Sequence, residues 1–337
     1  MAQWPLSSVT PSVVDRLLPD LDVLVALRGA AHGMDLRMRQ PAAAQLQGGH
    51  RSAHRGRGLE FDEVRLYAPG DDARSIDWRV TARRGRPHTK LFREERERLV
   101  WLLADLHPGL YFGSRCQLKS ALLLRAAAWL AWVTVTAGDR LGAVVRSAGE
   151  ATAQVIGTPQ VLPPRSREIG ALAVLQALVQ HQPRAPGAVG AAQRSQAHDA
   201  THPPPLGSFG HAVGTLRPLA RSGSTVVVLS DFSDTGAAAD AADTALAALA
   251  MRAECRLIWL TDALERDGLP AGAFRVGLPG RLWSLDGAAS RTAWSATWAQ
   301  RERRVTELSR RLRLPLLRLD TGDDLAQCMP AFVSASR

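Results

Sequence analysis

Lysine is almost absent from this basic chain of 337 residues. Lys90 and Lys119 are its two lysines, although Lys and Arg together number 42 against 32 acidic residues, for a net charge of +10. Arginine therefore supplies nearly all the positive charge, and it is spread along the chain rather than gathered in one arm. Such an excess allows attraction to nucleic acid, anionic membranes or acidic proteins, but the sequence lacks the lysine-rich tail or arm of a dedicated nucleic-acid binder.

Cysteine is also scarce, and the spacing of the cysteines argues against both a disulfide-rich domain and a zinc-binding domain. Cys116, Cys255 and Cys328 lie far apart, which argues against a disulfide framework and a zinc site and favours a reducing compartment. No basic region followed by an apolar run opens the sequence, so no signal peptide is expected. The apolar stretch 121–138 contains Arg125 and is interpreted as a buried helix. We therefore expect a cytoplasmic protein.

Motifs of the common nucleotide-binding folds are missing. No G-x-G-x-x-G follows the first apolar strand, and no G-x-x-x-x-G-K-[ST] occurs in the chain. No nucleophile elbow or paired Ser-His motif is present either. Four tryptophans lie three or four residues apart in pairs, a spacing that favours core packing over a ligand cage. They are Trp129, Trp132, Trp294 and Trp298.

From residue 99 onward, apolar strands alternate with helices. Strands are predicted for LVWLLADL, RLGAVVRS, STVVVLSD, CRLIWLTD and LPLLRLD, with helices between them and a hairpin over 276–286. This alternation predicts an α/β fold with a mostly parallel sheet covered on both faces. Three parts follow: an N-terminal helix and connector (1–55), a charged segment (56–98) and the sheet domain (99–335). Residues 183–205, rich in Pro, Ala and Gly, predict a flexible insert in the last part.

The charged segment 56–98 contains four large rings, Phe61, Tyr67, Trp78 and Phe92. Four large rings are unusual in a solvated loop, because aromatic side chains are usually buried in apolar surroundings. We therefore expect a small β-containing unit that packs against the sheet domain, which would bury the four rings. The charges between them are then expected to form partly buried pairs. These charges are Arg65, Asp71, Asp72, Arg74, Asp77 and Arg83.

The same segment closely resembles the bacterial family called domain of unknown function 58 (DUF 58). The signature runs roughly G-x-G-x-E-F, R-x-Y-x-P-G-D-D, R-x-I-D-W and A-R, followed by a Lys and a Glu. The matching residues are Gly56, Gly58, Glu60, Phe61, Arg65, Tyr67, Pro69, Gly70, Asp71, Asp72, Arg74, Ile76, Asp77, Trp78, Ala82, Arg83, Lys90 and Glu95. The resemblance brings no biochemical activity. It implies a three-layer von Willebrand factor A-like (Rossmann-like) sheet domain. It also implies a partner of the MoxR type of AAA+ ATPases and a chaperone-like or assembly role.

Two acidic residues end two of the predicted strands. Asp105 closes the first and Asp231 closes STVVVLSD, and these strands would flank the switch point of a doubly wound sheet, where ligands bind. The resemblance implies a metal-ion-dependent adhesion site here, whose first loop reads D-x-S-x-S. In this chain His107 and Gly109 replace the two serines, while Ser230 and Ser233 could add hydroxyls. Imidazole and glycine are poor Mg²⁺ ligands, so no tight Mg²⁺ site and no other cofactor is predicted.

Several interpretations of these residues stay open. Asp105 could instead cap the amides of a helix N-terminus. His107 is expected to be an exposed loop residue, the alternative being a transition-metal ligand or proton carrier. The first functional hypothesis is a non-enzymatic adaptor that presents the strand-end loops of Asp105, His107, Gly109, Asp231 and Ser233 to a protein partner. The alternatives are a metal-dependent phosphohydrolase using Asp105 and Asp231, and a non-specific nucleic-acid binder using the arginines of 79–86.

Overall fold

The structure is a computed structural model, and it describes seven ranges of the chain. They are residues 16–31, 59–68, 73–94, 97–147, 158–183, 208–278 and 281–334. The predicted helix start at Thr10-Pro11, the turn at Pro69-Gly70 and nearly all of the predicted insert lie outside these ranges. The chain divides into two compact units, residues 40–97 and the remainder.

The described elements comprise strands and helices in alternation after residue 98. The strands are β1 (Leu59–Leu66), β2 (His88–Glu94), β3 (Leu99–Leu106), β4 (Arg140–Ser147), β5 (Gln160–Ser166), β6 (Thr225–Ser230), β7 (Glu254–Thr261), β8 (Ala273–Leu278), β9 (Arg281–Asp286) and β10 (Leu316–Asp320). The helices are α1 (Leu21–Ala26), α2 (Trp78–Arg84), α3 (Lys119–Thr136), α4 (Arg167–His181), α5 (Phe209–Leu216), α6 (Gly236–Ala250), α7 (Ala263–Asp267), α8 (Gly287–Leu312) and α9 (Leu325–Ser334).

The larger unit is built on a sheet of six strands in the order β10-β7-β6-β3-β4-β5. All neighbours are parallel except β4 and β5, so the prediction of a mostly parallel sheet is confirmed. Sequence reasoning missed β5, because its QVLPPRS sequence contains two prolines. A proline is tolerated in an edge strand, where one side of the backbone needs no partner.

Alternate residues of each central strand point to opposite faces, and each face carries its own apolar core. Val100, Leu102 and Ala104 of β3 pack with residues of α3, α4 and α9. Trp101 and Leu103 pack with residues of α5, α6 and α8 on the other face. Helices therefore cover both faces of the sheet, as a parallel sheet requires.

The paired tryptophans largely belong to these cores. Trp129 and Trp132 of α3 are buried, and Trp298 stacks on Trp259 with 5.2 Å between ring centroids. These three tryptophans confirm the core interpretation. Trp294 is half-buried, and its Nε1 donates to the carbonyl oxygen of Glu265 at 2.9 Å.

Helix α9 was also missed, and a buried arginine fixes its position. Arg256 of β7 has no exposed surface, and its guanidinium donates to the carbonyls of Phe332 at 3.1 Å and Val333 at 3.4 Å. Glu254 accepts from the same side chain at 3.0 Å. These bonds satisfy carbonyls at the end of α9, a helix whose sequence contains Pro330 and gives a weak helical signal.

None of the helices within the described ranges combines the length and the hydropathy of a membrane span.

In the smaller unit, β1 and β2 form an antiparallel pair in which Phe61 and Phe92 are backbone partners. Asp77 begins α2, because its carboxylate accepts the backbone N–H groups of Arg79 at 3.0 Å and Val80 at 3.1 Å. Gly85 ends the helix with a φ of +70°, in the left-handed region that favours glycine.

Two expectations for this segment are wrong. The ring of Trp78 is 69 % exposed, so it lacks the apolar cover that the sequence suggested. Arg65, Arg74 and Arg83 are exposed rather than partly buried. Asp77 caps α2 by accepting backbone N–H groups, and such a cap forms without a buried ion pair.

Candidate functional site

The carboxyl ends of β3 and β6 lie side by side at the point where the strand order reverses. Chain order runs from β3 outward to β4 on one side, while β6 lies on the other. Asp105 and Asp231 are therefore brought together, and each is 2 % exposed. Ser230, the last residue of β6, connects them, because its hydroxyl donates to Asp105 Oδ2 at 2.5 Å.

His107 is not the exposed loop residue that the sequence favoured. Its side chain is 14 % exposed, and its Nε2 lies 3.0 Å from Asp231 Oδ1. The backbone N–H of Gly109 donates to Nδ1 at 3.2 Å, which leaves Nε2 as the donor to Asp231. Burial disfavours the imidazolium, but Asp231 and Asp105 outweigh burial and raise the pKa of His107.

Gly109 permits this position of the imidazole ring. A Cβ atom at residue 109 would lie 2.7 Å from Cε1 of His107, closer than real Cβ contacts allow. The ring of His107 thus occupies the space that the absence of a side chain at Gly109 leaves open.

A buried lysine binds Asp231 from the opposite side. Lys119, the first residue of α3, is 1 % exposed. Its Nζ lies 2.7 Å from Asp231 Oδ2 and 2.8 Å from Glu265 Oε1. Burial opposes the charge of the ammonium, but the two carboxylates prevail and raise the pKa of Lys119. Burial likewise opposes ionisation of Asp231, yet the bond from His107 and the charge of Lys119 hold its pKa well below the usual range.

Asp105 has its own cation. The guanidinium of Arg146, near the end of β4, lies 2.5 Å from Asp105 Oδ1. The other oxygen accepts from Ser230. Asp105 is thus held by an arginine and a hydroxyl, and the expected capping of helix N-terminal amides is not its described role.

The donor set does not fit Mg²⁺. Ligand atoms of Asp105, His107 and Asp231 all lie within 4.8 Å of one another. However, Lys119 and Arg146 already neutralise the two carboxylates, and a divalent cation would meet both positive charges at short range. Mg²⁺ also prefers oxygen ligands, and neither the imidazole of His107 nor position 109, which has no side chain, supplies a side-chain oxygen.

A second polar cluster fixes the neighbouring loops. Asp262 follows β7 and has no exposed surface. Its carboxylate accepts from Ser114 N at 2.8 Å, Ser114 Oγ at 2.5 Å, Thr321 Oγ1 at 2.5 Å and Leu264 N at 2.8 Å. Burial raises and these hydrogen bonds lower the pKa of Asp262, and the net effect is a lowered pKa. Loops after β3, β7 and β10 are thereby tied together.

The remaining predicted residues fall in three groups. Ser233 N donates to Asp231 Oδ1 at 3.0 Å, so the described contact of this residue is made by its backbone. In the signature, Tyr67 is half-buried, while Glu60 and Lys90 lie in β1 and β2 and their side chains are not described. Gly70, Asp71 and Asp72 lie outside the described residues.

Sequence reasoning missed the cations and the second cluster. Lys119 is one of only two lysines and is the first residue of an otherwise apolar helix. This unusual position could have marked it as a candidate site residue. Arg146 and Glu265 are charged residues beside strand ends, a pattern shared with many solvated positions. Asp262 ends CRLIWLTD as Asp231 ends STVVVLSD, and this parallel could have been used.

Fold and site together define an α/β protein with a buried network of charges at the carboxyl edge of a mostly parallel sheet. The chain belongs to the family described as "Protein of unknown function DUF58", which it matches over residues 63–280.

Curated relatives are similar to part of the chain. Uncharacterized proteins of Mycobacterium bovis and Mycobacterium tuberculosis are each 36% identical to it over 142 residues, or 42% of this chain. The match covers 44% of each relative, so the chain spans less than half the length of the curated proteins it matches.

Two solved structures are similar at low identity. The conserved hypothetical protein BatB from Bacteroides thetaiotaomicron has a TM-score of 0.42 and 11% identity, covering 70% of this chain and 97% of that one. An aerotolerance-related membrane protein from Bacteroides fragilis has a TM-score of 0.38 and 14% identity, covering 70% and 98%.

Proposed function

We propose that this protein is a non-enzymatic interaction protein whose von Willebrand factor A-like domain presents its strand-end loops to a protein partner without a metal ion. The observation that carries the proposal is the buried contact of 2.7 Å between Lys119 Nζ and Asp231 Oδ2. An adhesion site of this kind uses a cation to organise its loops, and here the chain supplies the cations itself.

Three features support a preformed binding surface. The carboxylates of Asp105 and Asp231 are charge-neutralised from within, so they hold loops rather than activate water. Asp262 ties the neighbouring loops to the same edge. Pro108 and Thr235, which follow β3 and β6, are exposed and offer contact surface beside the network.

The phosphohydrolase alternative requires a metal-activated water between Asp105 and Asp231. Because Arg146 and Lys119 occupy those carboxylates, the geometry favours the interaction role. The arginines of 79–86 are exposed, which suits electrostatic attraction to phosphates, but base-specific recognition needs more than diffuse charge. We propose the cytoplasm as the place of action, where three free cysteines stay reduced.

The proposal is tested by capture from lysate of the native host, with a MoxR-type AAA+ ATPase as the partner expected from the family resemblance. Full-length bait is used with and without Mg²⁺ and ATP. Thr235→Arg places a bulky charge on the strand-end surface and should abolish capture. Met251→Arg, at an 88 % exposed residue on the opposite edge of the sheet, is the matched control.

The expected result is capture that withstands chelation of divalent ions when ATP is left out. Capture that is lost on chelation under the same conditions, or that survives Thr235→Arg while Met251→Arg abolishes it, would overturn the proposed surface.

A further inference from the structure

A dense group of arginines lies in the smaller unit, next to an exposed tryptophan. Four of residues 79–86 are arginines and none is acidic. All four arginines are exposed, and the structure describes no ion pair for any of them. They are Arg79, Arg83, Arg84 and Arg86. This part of the surface therefore keeps its positive charge available for an anionic partner.

Trp78 shares one face of α2 with two of these arginines. At 3.6 residues per turn, Trp78, Arg79 and Arg83 lie within an arc of about 140° around the helix axis. The opposite side of α2 faces the hairpin, because the backbone N–H of His88, in β2, donates to Thr81 Oγ1 at 3.0 Å. Trp78 itself is mostly exposed. The indole and the two guanidinium groups are therefore presented together to solvent.

An exposed indole beside unpaired arginines fits a single strand of nucleic acid. Guanidinium groups attract phosphates, and the flat face of an indole takes a base by stacking, whatever the sequence of the strand. In a duplex the faces of the bases are covered by their neighbours in the stack. An unpaired strand is the form that can place a base on the ring of Trp78.

Two other anionic partners fit this face less well. A helix that binds the surface of an anionic membrane needs a broad apolar face, whereas the outward face of α2 offers Trp78 and Ala82 as its apolar residues. An acidic peptide would neutralise the arginines, but its carboxylates provide no flat ring to stack on the indole. Nucleic acid is the partner whose phosphates and bases use both kinds of side chain.

We propose that the outward face of α2 binds single-stranded nucleic acid without regard to sequence. One base stacks on Trp78 while Arg79 and Arg83 contact the flanking phosphates, and Arg84 and Arg86 add electrostatic attraction. This inference does not rest on the proposed adaptor role, because it concerns the smaller unit and is measured without a protein partner.

The test is fluorescence anisotropy with the full chain at about 50 mM salt, where phosphate contacts are strong. The probe is a labelled oligothymidylate of about 12 nucleotides, a length that one single-strand-binding module covers. An abasic strand of the same length keeps the phosphates and lacks the rings, so it should bind roughly tenfold more weakly. Equal affinity for the abasic strand, or tighter binding of the same strand as a duplex, overturns the proposal.

Substitutions at Trp78 locate the stacking contact. Trp78→Ala should weaken binding of the intact strand roughly tenfold and leave binding of the abasic strand unchanged. Trp78→Phe retains a ring and should retain most of the affinity. Wild-type affinity of Trp78→Ala for the intact strand contradicts the proposed contact.

A double variant separates this face from the general positive charge of the chain. Arg79→Gln/Arg83→Gln should reduce the slope of log affinity against log salt by about 0.7 for each arginine. Arg217→Gln/Arg221→Gln removes the same charge from two exposed residues of the larger unit and should change the slope little. Equal effects of the two double variants would show that diffuse charge alone attracts the strand.

The alternative partners are measured in the same way, with phosphatidylserine vesicles and with a polyglutamate peptide. Both should bind more weakly than the oligonucleotide, and neither should depend on Trp78. Binding of either one that is tighter than that of the strand and is lost in Trp78→Ala would assign this face to a membrane or to an acidic protein instead, and the proposal would be wrong.

Discussion

Lys119 Nζ lies 2.7 Å from Asp231 Oδ2, and the two side chains are 2 % and 3 % exposed. The pair joins the first turn of α3 to the loop after β6, two elements separated by 112 positions in sequence. A contact of this kind organises a loop without any external ion, provided that both charges are present.

Removal of the ammonium should therefore destabilise the larger unit strongly. In Lys119→Met, the buried Asp231 and the partly buried Glu265 lose the cation that they share, and breaking a buried pair costs about 3–5 kcal/mol. Urea unfolding followed by tryptophan fluorescence measures this loss.

The matched control for that measurement is Arg318→Ala, which breaks an ion pair whose side chains are 45 % and 44 % exposed. An exposed pair contributes at most about 1 kcal/mol. Equal losses in Lys119→Met and Arg318→Ala would contradict the view that the buried network holds the strand-end loops.

Acid should weaken the same network. The folded-state pKa of Asp231 is held well below its ordinary value of 3.8, so the unfolded chain takes up a proton first as the pH falls. The stability from this pair is present above about pH 4 and decreases below it, by up to about 1.4 kcal/mol per pH unit for one proton.

Urea unfolding of the wild type and of Lys119→Met/Asp231→Asn at pH 5, 4 and 3 checks this dependence, with the pH values chosen around the ordinary carboxyl range. The wild type should lose more stability per pH unit than the double variant. Parallel pH profiles would show that Asp231 titrates alike in the folded and unfolded chain.

The convergence of Asp105 and Asp231 could be anticipated because both follow buried strands, and parallel strands end at one edge of a sheet. The alternation of strands and helices in the sequence is enough to predict this parallel arrangement. Whether Lys119 reaches Asp231 depends on the path of residues 107–118, which determines where α3 begins, whereas Arg146 reaches Asp105 because the two residues are partners in the β3–β4 register. A lysine at the start of an apolar helix is compatible with several such paths, so Lys119 could not be assigned.

The error at Trp78 has a different origin. Large rings are usually buried, but they also lie at surfaces, and the number of rings in a segment does not reveal which of them point inward. The strand β5 and the helix α9 were missed for local reasons, since prolines weaken the signal of both elements while tertiary contacts stabilise them.

Titration calorimetry with Mg²⁺ or Mn²⁺ should give no saturable heat at millimolar ligand. The reason is the pairing of Asp231 with Lys119 and of Asp105 with Arg146, which a divalent cation would have to break. A stoichiometric signal that disappears in Asp105→Ala would show that a metal displaces these side chains. The site would then be a metal-binding site, as the phosphohydrolase alternative requires.

The last prediction concerns Asp77 and Trp78, adjacent signature residues that the structure gives unequal roles. Asp77→Ala removes the cap of α2, and the loss of an N-cap costs about 0.5–2 kcal/mol. Trp78→Ala should change stability little, because the ring is 69 % exposed. Asp77→Ser retains a capping oxygen and should restore most of the loss. Hydrogen exchange of the backbone amides of residues 78–84 reports the opening of α2 directly. If Trp78→Ala accelerates that exchange as much as Asp77→Ala does, the ring supports the helix; if Trp78→Ala abolishes partner capture with exchange unchanged, the exposed ring belongs to a binding surface.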